Sequence, residues 1–194
     1  DLSEEMLCIL REKMYEQGRQ GILLLQQNLC ALDLYGTVHA AVSTFDTLNH
    51  IGPYAQFERA VCRSALFIEP GGVFLFDMNT PYKHETVLAN HTYQLEAEDV
   101  TCLWKNEWDS AARCTHITVD MSYPGQAQHD VERFEEYAYT LDEIRRACEA
   151  AGLQIASVVD GEAFGPLGPE SQRYCVTAVK RGDKNCNAVY KNEV

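Results

Sequence analysis

The chain has 194 residues, of which 46% are hydrophobic and 23% charged, and a formal net charge of -13. These proportions describe one globular domain, with room for an inserted subdomain, and exclude a disordered or fibrous chain. The acidic balance argues against nucleic acid as a partner, since a polyanion is repelled by that average field. The eight cysteines (Cys8, Cys30, Cys62, Cys102, Cys114, Cys148, Cys175, Cys186) are scattered singly, with no C-x-x-C pair. They read as reduced, small apolar fillers rather than a disulfide framework. A basic-then-apolar leader is absent, as is any apolar run near the roughly 18 residues of a membrane span. A cytoplasmic protein with no membrane partner is expected, and the oligomeric state is open.

The opening "DLSEEML" carries a helix cap. Ser3 can accept from first-turn amides, Glu4 and Glu5 favour the positive helix end, and Leu2 and Leu7 are spaced as a hydrophobic staple. Met6, Leu7, Leu10 and Met14 form one apolar stripe, and Gly18 is placed to end the helix. Two continuous apolar runs follow, "GILLLQQNL" and "TVHAAVSTF", which predict strands buried on both faces. A helix is predicted over Phe57, Val61 and Leu66 with Pro53 near its start, and "GGVFLFD" is a third buried strand launched from a Pro-Gly-Gly turn.

From about residue 92 to 139 the pattern becomes antiparallel: "TYQLEAEDVTCLW", "ARCTHITVDMSY" and "HDVERFEEYAYT" are strand-like, the last two joined by a turn at Pro124 and Gly125. Thr140 and Glu143 form a T-x-x-E capping box for the helix "LDEIRRACEAAG", closed by Gly152. The strands "LQIASVV" and "RYCVTAVKR" complete the chain before a polar tail that is expected to fray. Strand, helix, strand at this rhythm predicts an α/β fold: a Rossmann-like, doubly wound, mostly parallel sheet with an antiparallel final strand and an inserted antiparallel meander. The expected divisions are a cofactor-binding part over 1–91, the meander as substrate lid over 92–139, the remaining α/β part over 140–181 and a tail over 182–194.

An open α/β sheet binds ligands outside the carboxyl ends of its strands, which selects Asp1 to Ser3, Gln27 to Leu29, Thr44 to Asn49 and Asp77 to Thr80. An ionised carboxylate at Asp1 suits a pair of ribose hydroxyls; an Asp before a helix cap is also a common solvated turn residue. Asn28 offers a donor and an acceptor to a base edge, and the Leu29 amide a donor to a ring nitrogen.

"DLSEEML", "LLLQQNLCAL", "STFDTLNHI" and "EPGGVFLFDMNTP", in this order and spacing, resemble the class I S-adenosylmethionine-dependent methyltransferases after their first strand. The similarity continues through "LWKNEWD", "FEEYAYTLDEIRRACEAAGL" and "RYCVTAVKR", covering roughly residues 1–181. The resemblance implies S-adenosylmethionine as cofactor. It assigns the ribose to Asp1 with Leu2 and Ser3 beside it, the adenine to Asn28 and Leu29, and the methionine end to Ser43, Thr44 and Phe45. A neutral Asn28 stands where the family commonly has an Asp, and His39 stands where an Asp is frequent. The family's first strand and glycine-rich loop would lie upstream of Asp1. In that fold the first strand runs between the second and fourth, and its loss would orphan backbone groups at about 1–3 kcal/mol each, against a net stability of about 5–15 kcal/mol. The 194 residues are therefore expected to belong to a longer protein, or another segment to fill the gap.

Methyl transfer from a sulfonium is an in-line displacement that needs alignment and exclusion of water but no covalent nucleophile. The expected substrate wall is Asp46, Asn49, Asp77, Asn79 and Tyr82, with Trp104 and Trp108 from the meander; the two tryptophans also read as ordinary packing. His50 or His129 is the candidate base, each also readable as a packing or surface histidine. The acceptor is expected to be a small molecule, and no metal is expected. Two other functions remain: a nicotinamide-dependent Rossmann oxidoreductase, whose strand-end Asp also grips ribose, and a non-catalytic binding module of the same fold.

Overall fold

A computed structural model describes residues 1–126 and 129–182. The chain begins with α1 (Glu4–Glu16), where the Ser3 hydroxyl accepts from the Met6 amide at 3.1 Å. At the other end Gly18, with φ +61°, donates to the Tyr15 carbonyl, and Arg19 donates to that of Met14. This left-handed closure satisfies the last carbonyls and requires the glycine. Leu2 is 65% exposed and Leu7 partly buried.

The α/β part is a four-stranded sheet in the order β1-β2-β8-β7, with β1 Val38–Ser43, β2 Ile68–Asn79, β7 Leu153–Asp160 and β8 Arg173–Lys180. β1 and β2 run parallel, and β8 is antiparallel to both β2 and β7. Helices α2 (Tyr54–Leu66) and α3 (Leu141–Ala150) cover one face. Phe57, Val61, Phe74, Phe76, Ile144, Leu153 and Val176 form its core, and Tyr139 stacks on Phe57 at 4.3 Å.

Three expectations for the strands change. The run "GILLLQQNL" forms no strand; it is held by one parallel bridge, in which the Asp1 amine donates to Leu25 (3.3 Å) and Gln27 donates to Asp1 (3.0 Å). One bridge fixes too few residues for a ladder. β1 is an edge strand rather than a doubly buried one, and Val42 is 64% exposed. β2 alternates, with Phe74, Phe76 and Met78 buried and Leu75 facing out. The Pro-Gly-Gly stretch lies inside β2 as a bulge, because the register jumps from Val38–Ile68 to Ala40–Val73. A side chain at Gly72 would collide with the His39 carbonyl at 2.7 Å.

The second sheet is antiparallel in the order β3-β4-β5-β6, with β3 Thr92–Ala97, β4 Val100–Asp109, β5 Cys114–Ser122 and β6 His129–Tyr137. The first strand-like segment is thus a hairpin, turned at Glu98 and Asp99. The sheet is fastened to α3 by Arg113, whose guanidinium donates to both oxygens of Glu143 (2.9 and 2.5 Å). Glu143 also completes the capping box with Thr140. Burial raises its pKa, but the bonds from Arg113 and Thr140 outweigh this and hold it at about 2. The seven described cysteines are free and Cys186 lies outside the described residues, as does the tail from 183 onward. No described helix is long and apolar enough to cross a membrane.

Candidate active site

A cleft of about 970 Å³ separates the exposed edge of β1 from Asp1 and the Leu23–Leu29 segment. Leu23, Leu25, Val38, Ala41 and Val42 supply apolar wall from the bodies of the two segments. Their carboxyl ends supply the polar residues Gln27, Asn28, Ser43 and Thr44, joined by Asp1, Thr47 and His50. Of the residues assigned to the cofactor, Asp1, Leu2, Asn28, Leu29, Ser43 and Thr44 line this cleft. Ser3 does not, being engaged as the helix cap, and Phe45 is 83% exposed outside it. Asp1 Oδ1 accepts from the Ser3 amide (2.9 Å), and Asn28 Oδ1 accepts from the Cys30 amide (2.8 Å), opening a short 3-10 turn. The Asn28 amide therefore faces its surroundings mainly as a donor. Ser43 Oγ is buried and has no hydrogen-bond partner among the described residues.

Beyond the mouth, Phe45 and Asp46 take left-handed φ values of 56° and 49°. They turn the chain from β1 into the 3-10 turn Thr47–His50 and toward a buried polar cluster. Asn49, fully buried, accepts from the Asn79 amide (2.9 Å) and donates to the carbonyls of Asn79 (3.2 Å) and Tyr137 (2.9 Å). The Asn79 side chain donates to Asp46 (2.5 Å) and Glu136 (3.1 Å) and accepts from Lys83 (2.9 Å). Asp77 pairs with Arg173, whose guanidinium also lies 3.7 Å from Asp46. Glu136 faces two histidines, His50 on the cleft side and buried His84, each at 3.9 Å. Burial and then the Asp46 charge raise the Glu136 pKa. His84 is pushed down to about 4, chiefly by burial and then by Lys83 and His50, so it is neutral at pH 7. Burial also lowers Lys83, helped by Arg173.

The tryptophans flank this cluster. Trp108 stacks on His84 at 6.1 Å, while Trp104 meets Phe134 edge-on at 5.8 Å and Phe134 in turn packs on His50 at 5.4 Å. Tyr82 begins the π-helical turn Lys83–Leu88 that carries His84. His129 is elsewhere: it pairs with Asp120 across β5 and β6 (3.0 Å) and does not line the cleft. His39 is a surface residue near Glu69 (3.4 Å).

No protein-family model matches the chain. It is 27% identical over 165 residues to the Bacillus subtilis (strain 168) protein named "Putative methyltransferase YqeM", covering 81% of this chain and 64% of that relative. A crystal structure of an S-adenosylmethionine-dependent methyltransferase from Clostridium acetobutylicum superposes with a TM-score of 0.85 at 23% identity, covering 94% of this chain and 74% of that one. The fold is that of the class I S-adenosylmethionine-dependent methyltransferases. A second structure of this fold, S-adenosylmethionine-bound CalS10 from Micromonospora echinaspora, an amino pentose methyltransferase, superposes with a TM-score of 0.68 at 19% identity, over 93% of this chain and 72% of that one. The chain thus spans a little under two thirds of the named Bacillus relative.

Within this methyltransferase fold, four site residues escaped the sequence reading: Glu136, His84, Lys83 and Arg173. Glu136 sits in "FEEYAYT", where every second residue of an antiparallel strand alternates in facing, and only the register with β5 shows that Glu135 points out and Glu136 in. Arg173 is the first residue of β8 and meets Asp77 across 96 residues of sequence.

Proposed function

We propose that this chain takes part in methyl transfer from S-adenosylmethionine to a small-molecule acceptor. The observation that carries the reading is the polar end of the cleft, where a buried, unsatisfied Ser43 hydroxyl stands with Asp1, Asn28 and Thr44 around an apolar trough. A buried polar atom left unpaired costs about 1–3 kcal/mol, so a bound group that engages it is favoured. The donor set fits a nucleoside carrying a polar tail. Asp1 Oδ2 accepts a sugar hydroxyl while Oδ1 holds the cap, the Asn28 amide and the Leu29 backbone address the base, and Ser43 and Thr44 address the amino-acid end. Leu2 packs beside the sugar; Ser3 and Phe45 act through the cap and the turn. The cofactor supplies an electrophilic methyl group on a sulfonium.

The chain's own residues then hold the acceptor and manage its proton. His50, at the cleft wall, is placed to take a proton from an attacking amine or hydroxyl, and Glu136 behind it stabilises the imidazolium that results. Asp46, Asp77 and Asn79 form a polar floor held by Arg173 and Lys83, whereas Asn49 is braced to the main chain and acts by positioning. Tyr82, Trp104 and Trp108 close the acceptor side. An amino sugar or similar amine is compatible with the acidic floor, and the likeness to an amino pentose methyltransferase points the same way. The test is formation of S-adenosylhomocysteine with a panel of small amines and alcohols. His50→Ala should lower turnover by about 10²–10⁴-fold with little change in cofactor affinity. Unchanged turnover in that variant would remove His50 from the proton path.

A further inference from the structure

The antiparallel sheet carries a second group of chemically reactive side chains, away from the cleft. In the β5–β6 register Cys114 stands opposite Tyr137 and His116 opposite Glu135, so the side chains of all four share one face. His116 Nδ1 lies 3.1 Å from Glu135 Oε1, and one ligand atom each from Cys114, His116 and Glu135 fall within 4.8 Å of one another. The neighbouring strand places Asp109 opposite Cys114 and Glu107, paired with Lys105 at 3.0 Å, opposite His116.

We propose that Cys114, His116 and Glu135 form a zinc-binding site with a fourth position open to water. A sulfur, an imidazole nitrogen and a carboxylate oxygen are the donors zinc takes, whereas magnesium and calcium prefer oxygen alone. Tetrahedral bonds of about 2.0–2.3 Å separate such ligand atoms by roughly 3.3–3.6 Å. The histidine and glutamate already stand that close, and the thiol lies within 4.8 Å of both, so a closing of little more than about 1 Å completes the tetrahedral set. Cys114 is buried while His116 and Glu135 are half exposed, so an ion enters from solvent and meets the sulfur last. On binding, the thiol proton leaves to solvent and the cation takes its place beside the carboxylates of Glu135 and Asp109.

The site touches the rest of the molecule through Tyr137. Its hydroxyl donates to Glu135 Oε2 (2.7 Å), acting as the outer partner that orients a ligating carboxylate. Its ring packs on Gly52, which lines the cleft: an added Cβ there would lie 2.2 Å from the ring. An ion at Glu135 would thus fix the ring against which the cleft-lining Gly52 packs.

The test is titration of the 194-residue chain with Co²⁺, followed by displacement with Zn²⁺ against a chromophoric chelator. One equivalent of Co²⁺ should give a thiolate-to-metal charge-transfer absorption that Zn²⁺ abolishes. Cys114→Ser should lose the absorption, and His116→Ala, a surface change that leaves folding intact, should weaken Zn²⁺ binding at least tenfold. Cys30→Ser should behave as the unsubstituted protein. Absence of the absorption, or its persistence at full strength in Cys114→Ser, would overturn the site.

Discussion

Asn49 is the residue whose loss should be felt most widely, because it ties the carboxyl end of β2 to the last residue of β6. It is fully buried and makes three hydrogen bonds to the main chain, from the Asn79 amide and to the carbonyls of Asn79 and Tyr137. Asn49→Ala leaves the Asn79 amide and the Tyr137 carbonyl short of a partner where water does not reach. At about 1–3 kcal/mol for each orphaned group, the substitution should cost about 2–6 kcal/mol, a large part of a net stability of about 5–15 kcal/mol. Urea unfolding followed by circular dichroism and tryptophan fluorescence measures it, with the expected shift in midpoint and an unchanged slope. Asn49→Asp should be no milder, since the carboxylate keeps the acceptor, loses both donors and buries a charge. A loss below about 1 kcal/mol for Asn49→Ala would show that the bonds do not hold the two sheets together.

Other outcomes follow from the same contacts. Glu143 titrates near 2 in the folded chain against 4.5 when free, so its contribution is present above pH 4.5 and lost as pH falls toward 2. A shift of that size corresponds to about 3 kcal/mol as an upper figure, so Glu143→Gln should destabilise most at pH 7 and converge with the parent protein in acid, read from urea midpoints at several pH values. Gly52→Ala should destabilise strongly by driving a methyl into the Tyr137 ring, and Tyr137→Ala in the same chain should recover part of the melting temperature. Ser43→Ala should raise the melting temperature of the unliganded protein slightly, by removing an unpaired hydroxyl, and weaken S-adenosylhomocysteine binding several-fold by calorimetry.

What the sequence made legible was local. The Ser3 cap, the Gly18 closure, the Thr140–Glu143 capping box and the Pro124–Gly125 turn each depend on residues a few positions apart, and all four form. Apolarity alone was a poorer guide to burial: "GILLLQQNL" and "TVHAAVSTF" are rich in leucine, valine and alanine, but each has too few strand neighbours to bury both faces. The hairpin at Glu98 and Asp99 was hidden because two acids, not Asn-Gly or Asp-Gly, make the turn. The polar cluster was hidden for a different reason. Asn79 and Glu136 meet across 57 residues and Asp77 and Arg173 across 96, so only strand register brings them together.

The most direct measurement is calorimetric titration of S-adenosylhomocysteine, with NAD as the control, against the longest product of the gene that contains these residues, unsubstituted and with Asp1→Ala. Saturable binding of S-adenosylhomocysteine that weakens at least tenfold in the variant, with no response to NAD, is the predicted result. Binding of NAD instead, or S-adenosylhomocysteine binding indifferent to both Asp1→Ala and Ser43→Ala, would contradict the assignment of this cleft to a sulfonium nucleoside.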